Sequence, residues 1–281
     1  GCPPLRCSRI LTRDMQGMIM KRILTLVLIL TAASACRKEV LPEDNWYAPT
    51  HKALEQMIRT EGTKGKQYDK EKTPYAVFDC DNTSIINDVE ITLLSFQMEN
   101  LRFKISPDRM TEVLGFSLED TSRPSVVNPD VSVRELIDDI VRDYEVLYRN
   151  YIGPDATMEF GQVSATEEYF DFRAKLYALS YSLDEAYGYL ESCKWPLRLF
   201  TGMTEEELRE LTAESLRHHL ASPLSRMSWE SPDGKIKVTF KEGLAVPVEI
   251  QHLYRALQEN GIDVYIVSAS CEPVVETLAC D

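Results

Sequence analysis

The stretch that decides the fold is YAVFDCDNT, residues 75–83, in which a compact apolar run ends in a polar turn. Pro74 precedes the run, and Asp79 ends it. A short continuous apolar run is typical of a strand that is buried on both faces of a parallel sheet. The sequence therefore predicts a buried strand over residues 75–78, with the carboxylates of Asp79 and Asp81 directly after its end.

A second apolar run of the same kind lies near the end of the chain, where residues 262–267 lead into Ser268, Ala269 and Ser270. Helical patterns are found at residues 51–61 (with Thr50 as a cap), 86–103, 132–150, 166–192, 204–220 (with a Thr204/Glu207 capping box), 247–259 and 272–279. Residues 104–130 are predicted to be rich in loops, and Pro232-Asp233-Gly234 is predicted to be the turn of a β-hairpin. Two buried strands separated by helices predict an α/β fold with a parallel sheet.

This order of elements also predicts how the chain divides. The predicted parts are an upstream extension with a signal peptide (1–35), a tether with an N-terminal helix (36–72), an α/β core (73–85 with 246–281) and a helical insert (86–245). Ligands of open parallel sheets bind beyond the carboxyl ends of the strands. The turns after residues 78 and 267 are therefore the predicted site.

Composition and charge exclude several classes of protein. The chain has 281 residues, of which 44% are hydrophobic and 27% charged, as in ordinary globular domains. Its net charge is -14. An acidic chain is poorly suited to non-specific nucleic-acid binding, which depends on Lys and Arg. We expect no nucleic-acid partner.

The N-terminal region has the pattern of an export signal. The apolar run at residues 23–33 follows Lys21 and Arg22 and precedes the small residues 33–35. Eleven residues are too few to span a bilayer, and the pattern is typical of a signal peptide rather than of a buried core helix. Ala-Ser-Ala before Cys36 resembles the bacterial lipoprotein box, so Cys36 is the predicted lipidation site, with ordinary secretion as the alternative.

Export would place the protein in a bacterial cell envelope, either in the periplasm or as an outer-membrane lipoprotein. With the lipid anchor, the membrane becomes a predicted partner. The four cysteines that follow Cys36 show no metal-ligand spacing and are interpreted mainly as small core residues.

The two carboxylates after the first strand are suited to phosphate chemistry. One can attack phosphorus and form an aspartyl-phosphate, while the second protonates the leaving oxygen and later activates water. Paired carboxylates also suit Mg²⁺. The alternative is that Asp, Asn and Thr at residues 79–83 merely form a turn and a helix cap.

The turn after the second strand offers complementary groups. The Ser268 hydroxyl and the free N–H groups of the next helical turn can bind phosphate oxygens. A plain helix cap, formed by Ser268 or Ser270, is the alternative.

Together the two turns resemble those of the haloacid dehalogenase superfamily of phosphatases. The first motif of that family is a hydrophobic strand followed by Asp-x-Asp-x-Thr, which residues 78–83 match. The second is a hydrophobic strand that ends in Ser or Thr, which residues 266–268 match. The predicted export and the large insert are most similar to the phosphoserine and phosphorylcholine phosphatase branch.

The resemblance implies a Rossmann-like parallel core with a mostly helical cap inserted after the first strand. It implies Asp79 as the nucleophile, Asp81 as the general acid and base, and Thr83, Ser268 and Ala269 as phosphate-binding positions. Mg²⁺ would be held by the Asp79 carboxylate and the Asp81 backbone carbonyl. The implied function is hydrolysis of a small phosphorylated substrate.

The family also has a third motif, a Lys or Arg, and a fourth, an acidic pair, both downstream of the second. Thirteen residues follow Ser268 here, and no Lys or Arg follows Arg255. We therefore expect a C-terminally truncated core with little activity of its own. The alternatives are a non-catalytic lipoprotein binding module on a vestigial core, or a phosphotransferase or dehalogenase of the same fold.

Two further features have a structural and a functional interpretation. The Tyr-rich residues 166–190 could face a cationic head group, although packing inside the insert is the favoured interpretation. His218 and His219 are adjacent on a predicted helix, so their side chains point about 100° apart. We expect them to lie on a solvated face rather than to share a metal.

Overall fold

The structure is a computed structural model that describes residues 39–280. In chain order the elements are α1 (Ala48–Glu61), β1 (Tyr75–Phe78), α2 (Val89–Glu99), α3 (Pro107–Gly115), α4 (Val133–Leu147), α5 (Phe160–Val163), α6 (Glu167–Tyr187), α7 (Tyr189–Arg198), α8 (Glu205–Ala221), β2 (Ser225–Glu230), β3 (Lys237–Glu242), α9 (Val248–Glu259), β4 (Asp263–Ile266) and α10 (Glu272–Cys280). A tight turn occupies Cys80–Ser84, in which Asp81 and Asn82 are not helical, and a short π-helical turn occupies Tyr148–Ile152. The fold is therefore α/β with mostly helices.

Two short strands from opposite ends of the described chain form a small parallel sheet. β1 and β4 pair residue by residue, from Tyr75 with Asp263 to Phe78 with Ile266. The Val267 N–H then donates to the Phe78 carbonyl over 2.9 Å. The predicted α/β class and parallel sheet are confirmed. The division into a core and an inserted cap stays a prediction.

One face of this sheet is covered and the other is exposed. Ala76, Phe78 and Val264 pack against a cluster to which α1 and α9 contribute. On the opposite face Tyr75 is 68% exposed and Tyr265 is 54% exposed. The prediction that both strands are buried on both faces is therefore wrong for the described residues, because no element among them covers that second face.

The main hydrophobic core lies among the helices and the hairpin. Tyr144 and Phe172 are fully buried, with their rings stacked 5.6 Å apart. Two buried aromatic side chains in this core have partners for their polar groups, as burial favours. The Tyr144 hydroxyl donates to the Ile105 carbonyl over 2.7 Å, and the Trp195 indole N–H donates to the Leu114 carbonyl over 3.0 Å. The core joins α4, α6 and α7 into one body.

Local sequence signals placed several elements correctly. The Thr204 side chain and Glu207 form the predicted capping box at the start of α8. β2 and β3 form the predicted antiparallel hairpin. α9 is followed by Gly261, whose positive φ of 72° suits a glycine after a helix end.

Other boundaries differ from the predictions. Thr50 does not cap a helix, because α1 begins at Ala48 with a proline in its first turn. The stretch 104–130, predicted to be rich in loops, also contains α3, which the sequence did not identify. The helical pattern of residues 166–192 is divided at Gly188, whose φ of 91° ends α6 and allows α7 to begin in a new direction.

The predicted upstream extension and signal peptide, residues 1–35, and the predicted lipidation site, Cys36, lie outside the described residues. Between residues 39 and 280, no helix has both the length and the apolar character that a bilayer crossing needs. The four cysteines in this range are free, with Cys80 buried and Cys280 exposed. The interpretation of cysteine as a core residue is right for Cys80 and wrong for Cys280.

A buried carboxyl pair crosses the interface between α4 and α6. Asp143 is 4% exposed and interacts with Asp171, while Lys175 donates to Asp171 over 2.7 Å and to Asp139 over 2.6 Å. Burial, and then the hydrogen bond and negative charge of Asp171, raise the pKa of Asp143 well above its usual range, against the effect of Arg142. Asp143 therefore tends to keep its proton, which can form a hydrogen bond with the Asp171 carboxylate.

This proton makes stability depend on pH. The pKa of Asp143 is higher in the folded chain than its value of about 4 in the unfolded chain. The Asp143 proton therefore contributes fully to the free energy of unfolding below the unfolded-state pKa. This contribution is lost as the pH rises through the folded-state pKa. Asp143→Asn keeps a donor toward Asp171 and removes the titration. We expect the difference in free energy of unfolding, variant minus wild type, to be larger at pH 8 than at pH 5 by about 1–3 kcal/mol, because only wild type loses this contribution.

Urea unfolding at both pH values measures this change. Asp138→Asn is the matched control, since Asp138 lies on the exposed face of the same helix. If the free energies of unfolding of the Asp143→Asn variant and wild type differ by the same amount at both pH values, Asp143 does not retain a proton in the folded chain.

Candidate active site

The chain leaves β1 through a tight turn that separates the two predicted carboxylates. Asn82 adopts a left-handed conformation with φ 55°, which asparagine tolerates better than most residues. Its N–H donates to the Asn87 carbonyl over 3.0 Å, and the Ser84 hydroxyl donates to the Asp79 carbonyl over 2.5 Å. The turn leaves Asp79 exposed and Asp81 half-buried.

Asp79 lies directly after β1 with an accessible carboxylate. Its Oδ2 accepts a long hydrogen bond of 3.3 Å from the Thr83 hydroxyl. An exposed carboxylate at a strand end can reach a substrate that approaches the edge of the sheet. The structure thus places Asp79 and Thr83 together, although phosphate binding by Thr83 stays a prediction.

Asp81 connects the two turns. Its Oδ1 accepts from the Val89 N–H over 2.7 Å at the start of α2, and its Oδ2 accepts from the Ser270 hydroxyl over 2.7 Å. Asp81 and Ser270 are 189 residues apart in the sequence. Sequence reasoning considered Ser270 only as a helix cap and missed this contact.

The turn after β4 contains the predicted phosphate-binding residues. The Ser268 hydroxyl oxygen accepts from the Ser270 N–H over 3.1 Å, as in a local serine turn. Ala269 is exposed beside it. Because Val267 pairs with Phe78, both turns emerge at the same edge of the sheet. Their role in binding phosphate stays a prediction.

Two acidic residues that the sequence analysis missed lie next to these turns. Asp88 caps α2 by accepting from the Ile91 N–H over 2.9 Å, and Glu90 accepts from the Cys271 N–H over 2.5 Å. Burial, and then the charges of Asp88 and Asp81, raise the pKa of Glu90 to about 7, against the effect of the Cys271 N–H. Their closeness to Asp81 in the sequence was the signal that could have identified them.

The accumulated charge makes this edge of the sheet strongly negative. Burial, and then the charges of Asp81, Asp79 and Asp88, raise the pKa of the Cys80 thiol to about 12. Carboxylate and carbonyl oxygens are the donors that Mg²⁺ prefers, and a divalent cation would relieve this repulsion. The Asp79 carboxylate and the Asp81 backbone carbonyl are therefore oxygen donors of the kind that would suit a magnesium site.

A cavity of about 550 Å³ lies beside these acids, between α2 and the helices α6 and α7. Its lining includes Asp88 and Glu90 from α2, and Tyr177, Tyr181 and Asp184 from one face of α6. Tyr177 is mainly buried, whereas Tyr181 is 63% exposed. The cavity thus combines aromatic and acidic groups next to the two turns.

The comparisons with known proteins give a partial match to a phosphatase. No family model matches the chain. It is 25% identical over 250 residues to a phosphorylcholine phosphatase of Pseudomonas aeruginosa, which covers 89% of this chain and 54% of the relative. The chain thus spans about half the length of this curated relative.

A solved structure is also similar. A protein of unknown function from Anaerococcus prevotii has 29% sequence identity and a TM-score of 0.78, with 87% of this chain and 66% of the other covered. The structural likeness supports the α/β fold with its small parallel sheet. The sequence similarity is to a protein that is named as a phosphatase.

Proposed function

We propose that the chain is part of an exported, Mg²⁺-dependent phosphomonoester hydrolase that acts through an aspartyl-phosphate. The observation that carries the proposal is the meeting of two polar turns at one edge of the β1–β4 sheet, joined by the Ser270–Asp81 hydrogen bond of 2.7 Å. This arrangement combines an accessible carboxylate, a second carboxylate and hydroxyl groups. The similarity to a phosphatase supports the same reaction class.

In the first step, an Asp79 carboxylate oxygen forms a bond to phosphorus as the bond to the ester oxygen breaks. Protonated Asp81 transfers its proton to that leaving oxygen, which departs as an alcohol. In the second step, Asp81 accepts a proton from water, whose oxygen bonds to phosphorus. The acyl phosphate bond then breaks, which releases phosphate and restores both carboxyl groups.

The side chains around the turns would orient these groups. Donation from the Val89 N–H and the Ser270 hydroxyl holds Asp81 in one orientation. The Ser268 hydroxyl and the exposed Ala269 backbone would bind phosphoryl oxygens, and Thr83 would support Asp79. Mg²⁺ bound by the Asp79 carboxylate and the Asp81 carbonyl would neutralise the charge between the anionic nucleophile and the anionic phosphate.

The groups that line the cavity are suited to a substrate whose alcohol part carries a positive charge. Tyr177, Tyr181 and Asp184 lie on one face of α6, and Asp88 and Glu90 face them from α2. Aromatic faces and carboxylates both attract ammonium groups. A choline-like leaving group is therefore the proposed specificity, consistent with the name of the curated relative.

The proposed specificity predicts a selective effect of Asp184→Asn. Loss of about 1 kcal/mol of attraction would raise KM for phosphorylcholine about fivefold and leave KM for an uncharged alkyl phosphate unchanged. The measurement is phosphate release by the complete gene product, with and without Mg²⁺, from both substrates. Asp155→Asn, at an exposed loop position, is the matched control.

The outcomes of this experiment separate the candidate functions. Equal effects on both substrates would contradict the cationic specificity but not the phosphatase activity. No Mg²⁺-dependent phosphate release from any phosphomonoester would contradict the enzyme proposal and favour a binding module.

A further inference from the structure

A second group of metal-ligating side chains lies where α8 ends beside the end of β3. His218 and His219 are in the last turn of α8, and Glu242 is the last residue of β3. One ligand atom from each lies within 4.8 Å of the other two. The centroids of the two imidazole rings are 4.8 Å apart. The expectation of a solvated face is right for His218, which is exposed, and wrong for His219, which is buried.

His219 is the buried member of this group. It is 3% exposed, and its Nε2 contacts the Thr92 carbonyl at 3.0 Å. A carbonyl only accepts, so Nε2 carries the hydrogen and Nδ1 of the neutral ring has the lone pair. Nδ1 is buried and has no hydrogen-bond partner among residues 39–280. A buried acceptor without a partner is unfavourable, which points to a missing ligand.

The other two side chains are placed to complete a coordination shell. His218 Nε2 lies 3.9 Å from Glu242 Oε1, and the His218 side chain is 44% exposed. Glu242 Oε2 accepts from the Ser225 hydroxyl over 3.1 Å, which orients the carboxylate. Metal ligands in proteins are typically held by a second hydrogen bond of this kind. Here the Thr92 carbonyl contacts the His219 ring, and the Ser225 hydroxyl donates to the Glu242 carboxylate.

We propose that His218, His219 and Glu242 form a binding site for Zn²⁺, separate from the acidic turn at Asp79. Two imidazoles and one carboxylate suit zinc, whereas Mg²⁺ prefers oxygen ligands alone. Ligand atoms around tetrahedral zinc lie about 3.4 Å apart, so the side chains of His218 and Glu242 would have to move closer to His219. Water would occupy the fourth position.

The ion would connect α8 to the segment that follows β3. In that segment, the Gly243 carbonyl accepts from the Asn87 side chain over 2.8 Å, and the Ala245 carbonyl accepts from the Ile86 N–H over 2.8 Å. Both partners directly follow the turn that carries Asp79 and Asp81. Zinc at this position would therefore tie the helix to the backbone that supports the predicted active site.

Calorimetric titration of the chelator-treated complete chain, without a polyhistidine tag, tests the site. Excess Mg²⁺ is kept in the buffer so that the acidic turn does not compete. We expect one Zn²⁺ per chain, and Co²⁺ should give the visible absorption of a tetrahedral site. His218→Ala and Glu242→Gln should each weaken Zn²⁺ binding at least tenfold.

His252→Ala is the matched control, since it removes a histidine elsewhere and should leave zinc binding unchanged. His218 and Glu242 are not fully buried, so both variants should fold, as urea unfolding without metal can verify. Absence of saturable Zn²⁺ binding would overturn the proposal. Wild-type affinity in both site variants, or binding that is lost on Asp79→Asn instead, would also overturn it.

Discussion

Asp79→Asn is expected to reduce Mg²⁺-dependent phosphate release by at least about 10³-fold, because an amide oxygen is a poor nucleophile toward phosphorus. The change also removes one of the two proposed metal ligands. Asp79 is exposed, and its side chain accepts only a long hydrogen bond of 3.3 Å from Thr83 in the described structure. The free energy of unfolding should therefore change by less than about 0.5 kcal/mol.

The assay uses the complete gene product and an aryl phosphate, with thermal unfolding as the check on folding. Asp108→Asn, at an exposed position in the first turn of α3, is the matched control and should retain full activity. Acid quenching of wild type during turnover should trap phosphate on the peptide that contains Asp79. Retained activity in the Asp79→Asn variant would refute the assignment of the nucleophile.

Asp81→Asn should have an effect that depends on the leaving group. Hydrolysis of an alkyl phosphate should fall by about 10²–10⁴-fold, because the departing alkoxide needs the proton. An aryl phosphate has a better leaving group, so it should still phosphorylate Asp79. The later attack of water would be slow without its base, and the phosphorylated chain should accumulate.

The asparagine side chain introduced by Asp81→Asn can keep both hydrogen bonds of Asp81. A loss of activity in this variant would therefore reflect the missing proton transfer rather than a changed turn. Its amide oxygen can accept from the Val89 N–H, and its NH₂ can donate to the Ser270 hydroxyl oxygen. Ser270→Ala is the control for a positioning effect and should lower both rates by less than tenfold. Equal losses for alkyl and aryl substrates, with no accumulation of phosphorylated chain, would show that Asp81 only supports the turn.

Several elements followed directly from local sequence. The apolar runs predicted both strands of the parallel sheet, and the pair Thr204 and Glu207 predicted the start of α8. These features depend on residues within a few positions of one another, so a pattern in the chain is sufficient to identify them. The carboxylates Asp79 and Asp81 were identified in the same way, from their position after an apolar run.

Other features depend on residues that are distant in the sequence. The Ser270–Asp81 contact joins positions 189 apart, and the buried His219 contacts the carbonyl of Thr92, which belongs to a different helix. The raised pKa values of Asp88 and Glu90 likewise depend on their burial in the folded chain.

Local sequence patterns were thus sufficient to predict the two strands, most of the helices and the polar turns that follow the strands. The packed structure was needed to show which hydroxyl contacts Asp81, which tyrosines and acids line the cavity, and that His218, His219 and Glu242 converge. The physical reason is that local patterns reflect backbone preferences and amphipathic spacing. Contacts and burial instead depend on how distant segments pack, which no local pattern specifies.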